Sequence, residues 1–390
     1  ILIHSSTIDK IKDFFRTIRI PLEIDLNELI TGLHNLVSQD RFSDKAQEYY
    51  DRFIDISTTL HAILIGPVRP YIENRDLIII PDELLAMVPF DLLITAVPPV
   101  APPRYDELPY LIRSHNLGYS YSATLHFNHS GGRKGRRTKL LAIAPDYDLE
   151  GRSFQEDDPV VNLRNTLMPL PYAKTEAMGI HRIYGGEVRI GPEATESFFK
   201  AAAGGYDVLH LAMHTIIDEA DPLYSKLAFS MDPDLTGEDG FLNVREIYNL
   251  DLNAWLTVLS SCRSGAGKVR LGEGIMSIAR SFLYAGSPSI VMTLWEVDDR
   301  SGSDIMQTFY AYLKRGHSID KALRKAKLDY LDQAGMLRSH PYFWSGYISI
   351  GYRSGVRAFP SNAMIIGLAL CLAGFVLWVY LLRKRSVKTH

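Results

Sequence analysis

Two short apolar runs in this chain each stop at a residue able to do chemistry. Residues 206–213 lead to His214, and residues 254–261 lead to Cys262, forty-eight positions further on. Runs this short, apolar throughout and bounded by turn residues, read as buried strands of a mostly parallel sheet. In open α/β sheets ligands bind just outside the carboxyl ends of the strands. Two such strands would deliver an imidazole and a thiol to one edge. A thiol is a weak nucleophile until a base takes its proton, and imidazole is the usual base. The pair therefore points to acyl transfer by a cysteine nucleophile, most simply peptide hydrolysis.

The pattern around the pair is strand and helix in alternation. Strands are expected at 76–80, 139–145, 187–190, 226–230 and 289–295, besides the two runs. Helices are expected at 172–185, 195–203, 242–250, 272–285, 303–314 and 319–333. Such alternation means a parallel sheet covered by helices on both faces. Residues 1–66 read as helical, with Ile11, Phe14, Phe15 and Ile18, then Leu26, Leu29, Ile30 and Leu33, at helical spacing. Residues 98–109 are proline-rich and read as a loop. Residues 131–137 form a basic, glycine-rich linker, read as an exposed loop between lobes or a processing site.

The chain has 390 residues, a formal charge of −3 and only two cysteines. That charge gives no electrostatic footprint for a nucleic-acid partner. Cys371 lies in a membrane-like segment, so a disulfide scaffold is excluded and Cys262 is expected to be a free thiol. Residues 364–382 carry no charge and precede Arg383, Lys384 and Arg385. About 19 residues at roughly 1.5 Å each match a bilayer core. The expectation is one transmembrane helix over 364–382, with the basic tail 383–390 cytoplasmic and the large domain on the other side. The opposite, tail-anchored orientation is the alternative. The chain opens on Ile1 rather than methionine, which reads as a processed or excised fragment.

Cys262 sits in Ser260-Ser261-Cys262-Arg263-Ser264-Gly265. Polar neighbours, a cation and a glycine suit a thiol at a strand-to-loop turn, where backbone N–H groups can face an oxyanion. His210, flanked by apolar strand residues, reads as a core histidine. The His210/His214 spacing brings side chains together on a helix rather than a strand, so no metal is expected. Asp232, Asp234, Thr236, Gly237 and Asp239 resemble a calcium loop, but its twelfth position would be Asn243; a polar hairpin is the better reading. No cofactor is expected.

Several segments together resemble the CHAT family, a branch of the caspase-like and separase-like cysteine peptidases. They are Ile80-Pro81-Asp82 with Val88-Pro89-Phe90; Tyr119-Ser120-Tyr121-Ser122-Ala123-Thr124; Leu209-His210-Leu211-Ala212-Met213-His214; Leu259-Ser260-Ser261-Cys262-Arg263-Ser264-Gly265; Gly272-Glu273-Gly274 with Ala279-Arg280-Ser281-Phe282 and Ala285-Gly286; Leu294-Trp295-Glu296-Val297-Asp298-Asp299; and His340-Pro341-Tyr342-Phe343-Trp344. They stand in family order over residues 60–351. The resemblance implies a caspase-like fold, with a helical segment at 1–59, the CHAT domain in parts 60–137 and 138–352, and a juxtamembrane linker at 353–363. It implies His214 as general base, Cys262 as nucleophile, and an oxyanion hole from the backbone N–H groups of Cys262 and Thr215. Family members usually carry glycine where Thr215 stands, and a β-branched residue narrows the mouth of the site.

The segment holding Glu296, Asp298 and Asp299 resembles one that places acid in a P1 pocket, which would favour Arg or Lys there. The other reading is that Asp298 or Asp299 caps the following helix. The functional expectation is a membrane-anchored cysteine endopeptidase acting on protein substrates and triggered by a partner. The alternatives are a catalytically silent membrane-bound module that binds partners, and an acyl transferase or thioesterase using the same pair.

Overall fold

The two runs become neighbouring central strands. The computed structural model describes residues 2–3, 18, 24–38, 46–98, 104–128, 139–147, 159–218, 220–231, 237–263 and 273–353. Among these, eleven strands form one sheet: β1 (Leu2–Ile3), β2 (Leu77–Ile79), β3 (Leu117–Tyr119), β4 (Leu140–Ala144), β5 (Glu187–Ile190), β6 (Val208–Ile216), β7 (Lys226–Ala228), β8 (Phe241–Asn243), β9 (Leu256–Arg263), β10 (Ser289–Thr293) and β11 (Tyr347–Gly351). The order is β1-β2-β3-β11-β10-β9-β6-β4-β5, with β7 and β8 added as a hairpin along the last residues of β6. Pairing is parallel from β10 through β9, β6 and β4 to β5, and β11 runs antiparallel to β10.

Strand alternation assigns the two faces. His210, Ala212 and Ser260 face the helices Pro171–Tyr184 and Asp299–Lys314, which pack on each other and, through the latter, on Ile319–Gln333. Thr257 points the other way and donates its hydroxyl to Ser287, just beyond the helix Glu273–Tyr284. Local chemistry sets the ends. Pro171 opens its helix and Gly185, at φ +87°, closes it in a conformation that suits glycine. Asn243 and Glu246 form a capping box on Val244–Tyr248. On the N-terminal side, the helices Leu26–Val37 and Ala46–Leu64 pack together. Ser57 of the second accepts from the Ile94 N–H and donates to the Leu92 carbonyl, which ties it to the domain.

Three expectations change besides one at the start of the chain, where β1 is a strand within residues 1–66, read as helical. The structure is a mostly parallel α/β sheet flanked by helices, but the transmembrane helix and the single-pass membrane location do not stand. No helix among the described residues is long and apolar enough to cross a membrane. The longest of them, Ala46–Leu64, carries Glu48, Asp51, Arg52 and Asp55, and a bilayer core tolerates no such face. Residues 353–363 fall almost wholly, and 364–382 and the basic tail entirely, outside the described residues, as do the linker 131–137 and Asp232, Asp234 and Thr236 of the calcium-like loop.

Second, residues 242–243 end the strand Phe241–Asn243 rather than start a helix, because Asn243 is that helix's cap. Third, β6 runs on to Ile216, since β7 pairs with Thr215 and Ile216. His214 thus lies within a strand, not beyond its end.

Candidate active site

The register of the central strands places the pair. In the parallel ladder of β6 and β9, His214 is the partner of Cys262, two residues beyond the Ala212–Ser260 pair. Partner positions on adjacent strands lie about 4.8 Å apart in the backbone. Both positions fall near the carboxyl ends of their strands, next to the point where strand order reverses between β4 and β6.

His214 is buried, at 3% exposure. Its backbone N–H donates to the Tyr147 hydroxyl at 2.9 Å, and that hydroxyl donates to the Ala228 carbonyl at 2.9 Å. The two rings pack with centroids 4.8 Å apart. His214 Nε2 lies 2.6 Å from the Met168 carbonyl oxygen. A carbonyl only accepts, so Nε2 carries the proton in this bond, and in the neutral ring the lone pair falls on Nδ1.

Met168 is itself held in place. Arg164, 1% exposed, donates to the carbonyls of Phe229 and Asp239 at 2.9 and 3.0 Å and lies 4.4 Å from the centre of the Phe241 ring. Leu167 N–H then bonds back to the Arg164 carbonyl. The orienting group for the imidazole is therefore a main-chain oxygen, clamped through Arg164 to the β7–β8 hairpin.

Removing the Tyr147 hydroxyl would leave the buried His214 N–H without its acceptor. Tyr147→Phe is expected to cost about 1–3 kcal/mol, which a denaturant melt against wild type would read.

A narrow cleft adjoins the pair on the same face of the sheet. Ala212, Ser260, Gly302 and Tyr347 line it together with the carboxylates of Glu176, Asp298 and Asp299. It holds about 10 Å³, room for one water molecule. Three carboxylates and no basic side chain line it. Asp298 is the N-cap of Asp299–Lys314: it accepts from the Ser301 N–H at 2.9 Å and pairs with Arg338 at 3.3 Å. Asp299 accepts from the Tyr172 N–H at 2.7 Å. Burial pushes its carboxyl up to about 6, with help from the nearby charges of Glu176 and Asp298, although the Tyr172 bond pulls the other way. Glu296 lies on the exposed surface and is not part of the cleft.

Glu176 is a cleft residue that sequence reasoning missed. It is 2% exposed, and its Oε1 lies 2.8 Å from Nε2 of His210, which is fully buried against Tyr310. Its signal was an acid on the apolar face made by Ala173, Ala177 and Ile180. Thr215, 8% exposed, has a strand partner on each side, Arg263 and Leu227. A second acidic cluster, Glu196, Glu238 and Glu246, has the geometry of a metal site, but Lys200 Nζ already sits 2.6–2.7 Å from all three. Burial pushes Glu196 up to about 7 even so.

A sheet of this order with a histidine and a cysteine in register defines an α/β domain built around a candidate nucleophile and base. The CHAT domain model matches residues 55–352, well over half of the sequence, and the chain belongs to the CHAT-domain family. Tetratricopeptide repeat protein 28 of Mus musculus and its Homo sapiens counterpart are each 26% identical to it over 232 residues, 52% of this chain. The match spans 9% of those proteins' length. Among solved structures, separase from the Saccharomyces cerevisiae separase–securin complex is 13% identical, with a TM-score of 0.41 over 82% of this chain and 20% of that one. The Arg-specific cysteine proteinase gingipain R is 9% identical, with a TM-score of 0.37 over 62% of this chain and 55% of that one.

Proposed function

We propose that this chain is a cysteine endopeptidase that cuts protein substrates after a basic residue, using Cys262 as nucleophile and His214 as base. The carrying observation is the register that pairs His214 with Cys262 on adjacent parallel strands. His214 Nδ1 takes the thiol proton while the Met168 carbonyl holds Nε2–H. The thiolate adds to the scissile carbonyl carbon, and negative charge moves to the carbonyl oxygen. The backbone N–H of Cys262 stabilises that oxyanion, joined by the N–H of Thr215. Collapse breaks the C–N bond, and the imidazolium gives its proton to the leaving amine. Water, deprotonated by His214, then cleaves the thioester and frees the second product.

The acidic cleft beside the pair favours a cationic P1 side chain, with Asp299 as counter-ion and Asp298 mainly a helix cap. A guanidinium does not fit into about 10 Å³, so the cleft must widen before substrate enters. A partner protein that holds the cleft open would raise a low basal activity that the chain already has alone. A peptide chloromethyl ketone with arginine at P1 tests the reading. It should label wild type at Cys262, label His214→Ala far more slowly and leave Cys262→Ala untouched. Failure to label a wild-type protein whose Cys262 still reacts with iodoacetamide would sink it.

One observation favours a second reading, a catalytically silent partner-binding module. Thr215 has strand neighbours on both sides, so its N–H must leave the ladder to meet an oxyanion. Glycine loosens a strand by about 0.5–1 kcal/mol and removes the branched side chain. Thr215→Gly is expected to raise kcat/KM on an arginyl peptide by about tenfold. No activity before or after the change would favour the silent module.

A further inference from the structure

A second hollow among the described residues is remote from the pair. It holds about 410 Å³ and opens between the helices Ala123–Asn128 and Glu273–Tyr284. It reaches Pro288, just before β10, and Gly351, at the end of the antiparallel β11. That is the edge of the sheet opposite the carboxyl ends where His214 and Cys262 lie. Its size falls within the range of small-molecule sites.

Its walls are apolar and aromatic: Tyr121, Leu125, Leu283, Tyr284, Pro288 and Tyr352. Tyr121 turns its hydroxyl away to donate to the Met276 carbonyl at 3.0 Å, which leaves its ring as wall. Leu125 is 47% exposed and Tyr284 76%, apolar surface that water would otherwise cover. No carboxylate lines the cavity. One permanent cation does: the exposed guanidinium of Arg280, 5.4 Å from the centre of the Tyr121 ring, with no carboxylate partner among the described residues. His126 and Ser120 add the remaining polar groups.

We infer that this cavity binds a small amphipathic anion, its apolar chain or ring against Tyr121, Leu125 and Leu283 and its carboxylate on Arg280. The apolar walls supply area, and the lone guanidinium supplies orientation and sign. This site is independent of the peptidase reading and stands whether or not Cys262 is catalytic.

Decanoate and decyltrimethylammonium, titrated calorimetrically into the full chain below their micelle concentrations, separate charge recognition from grease. Wild type should bind decanoate, and the ammonium at least about tenfold more weakly. Arg280→Gln, on an exposed position, should weaken decanoate by about tenfold with an unchanged melting temperature. Leu125→Trp, which fills the cavity from a half-exposed position, should abolish binding. Equal binding of the two amphiphiles, no binding of decanoate, or decanoate affinity indifferent to either substitution would overturn the site.

Discussion

Lys327→Ala is expected to destabilise the domain by about 3–5 kcal/mol, the usual cost of leaving a buried charge without its partner. Lys327 is fully buried on the helix Ile319–Gln333, and its ammonium pairs with Asp91, which is 7% exposed. Burial pushes the Lys327 ammonium down, and Asp91 opposes that shift. Asp91 belongs to the short turn Phe90–Leu92, whose first N–H donates to the Tyr119 hydroxyl at 2.8 Å. The pair therefore joins the last long helix to the segment that receives the N-terminal helices. Alanine would strand Asp91 in an apolar setting. The double variant Asp91→Leu/Lys327→Met, which removes both charges, is expected to recover most of the loss, because a buried pair exchanged for apolar residues is often neutral. Urea melts of wild type, Lys327→Met, Asp91→Leu and the double variant give the coupling directly. A single-variant loss below about 1 kcal/mol would mean the pair is hydrated in solution.

Asp299→Asn is expected to lower kcat/KM for arginine at P1 by about 100-fold while sparing an apolar P1, the scale of losing a charge-assisted hydrogen bond in a partly buried cleft. The pH dependence follows from the raised carboxyl. Asp299 is largely neutral below about 6 and charged above it. The wild-type preference for arginine over leucine should therefore rise as pH passes upward through about 6. Taking the ratio of the two substrates cancels every ionisation common to both reactions, and in Asp299→Asn the ratio should be flat.

Stability runs the other way. A carboxyl whose folded value lies above its unfolded one contributes stability at low pH, and that contribution is lost as pH rises from about 4 through about 6. Asparagine can still accept the Tyr172 N–H. Asp299→Asn should therefore melt no lower than wild type at pH 7.5, and higher if the charge is strained. A preference that ignores pH and survives the substitution would remove Asp299 from the pocket.

The strands that carry the pair were readable because both are buried on two faces, so their apolar runs are continuous. β5 was readable between two helices, and Ile319–Gln333 showed its apolar stripe end to end. β3 and β11 were not read, since Leu117–Tyr119 is only three residues long and Tyr347–Gly351 follows the irregular stretch around Pro341 and Trp344. The helix read from Ser303 begins at Asp299, because Asp298 caps it and Ser301, Gly302 and Ser303 are buried within its first turns rather than forming a loop. Lys327 stands on the apolar stripe of Leu323, Ala326 and Leu331, yet a lysine is ordinarily read as solvated.

At the site, the register of His214 and Cys262 was foreseeable from two matched strands. The Met168 carbonyl was not, since a main-chain oxygen leaves no mark in a side-chain pattern. Glu176 required knowing that the helix Pro171–Tyr184 packs over β6.

Cleavage of a mixed peptide library by wild type and by Cys262→Ala, read by mass spectrometry of the new termini, bears most directly on the central claim. The expected result is cleavage after arginine or lysine by wild type, absent from the variant. Identical cleavage by both proteins, or none by a wild type whose Cys262 also resists the arginyl chloromethyl ketone, would contradict it.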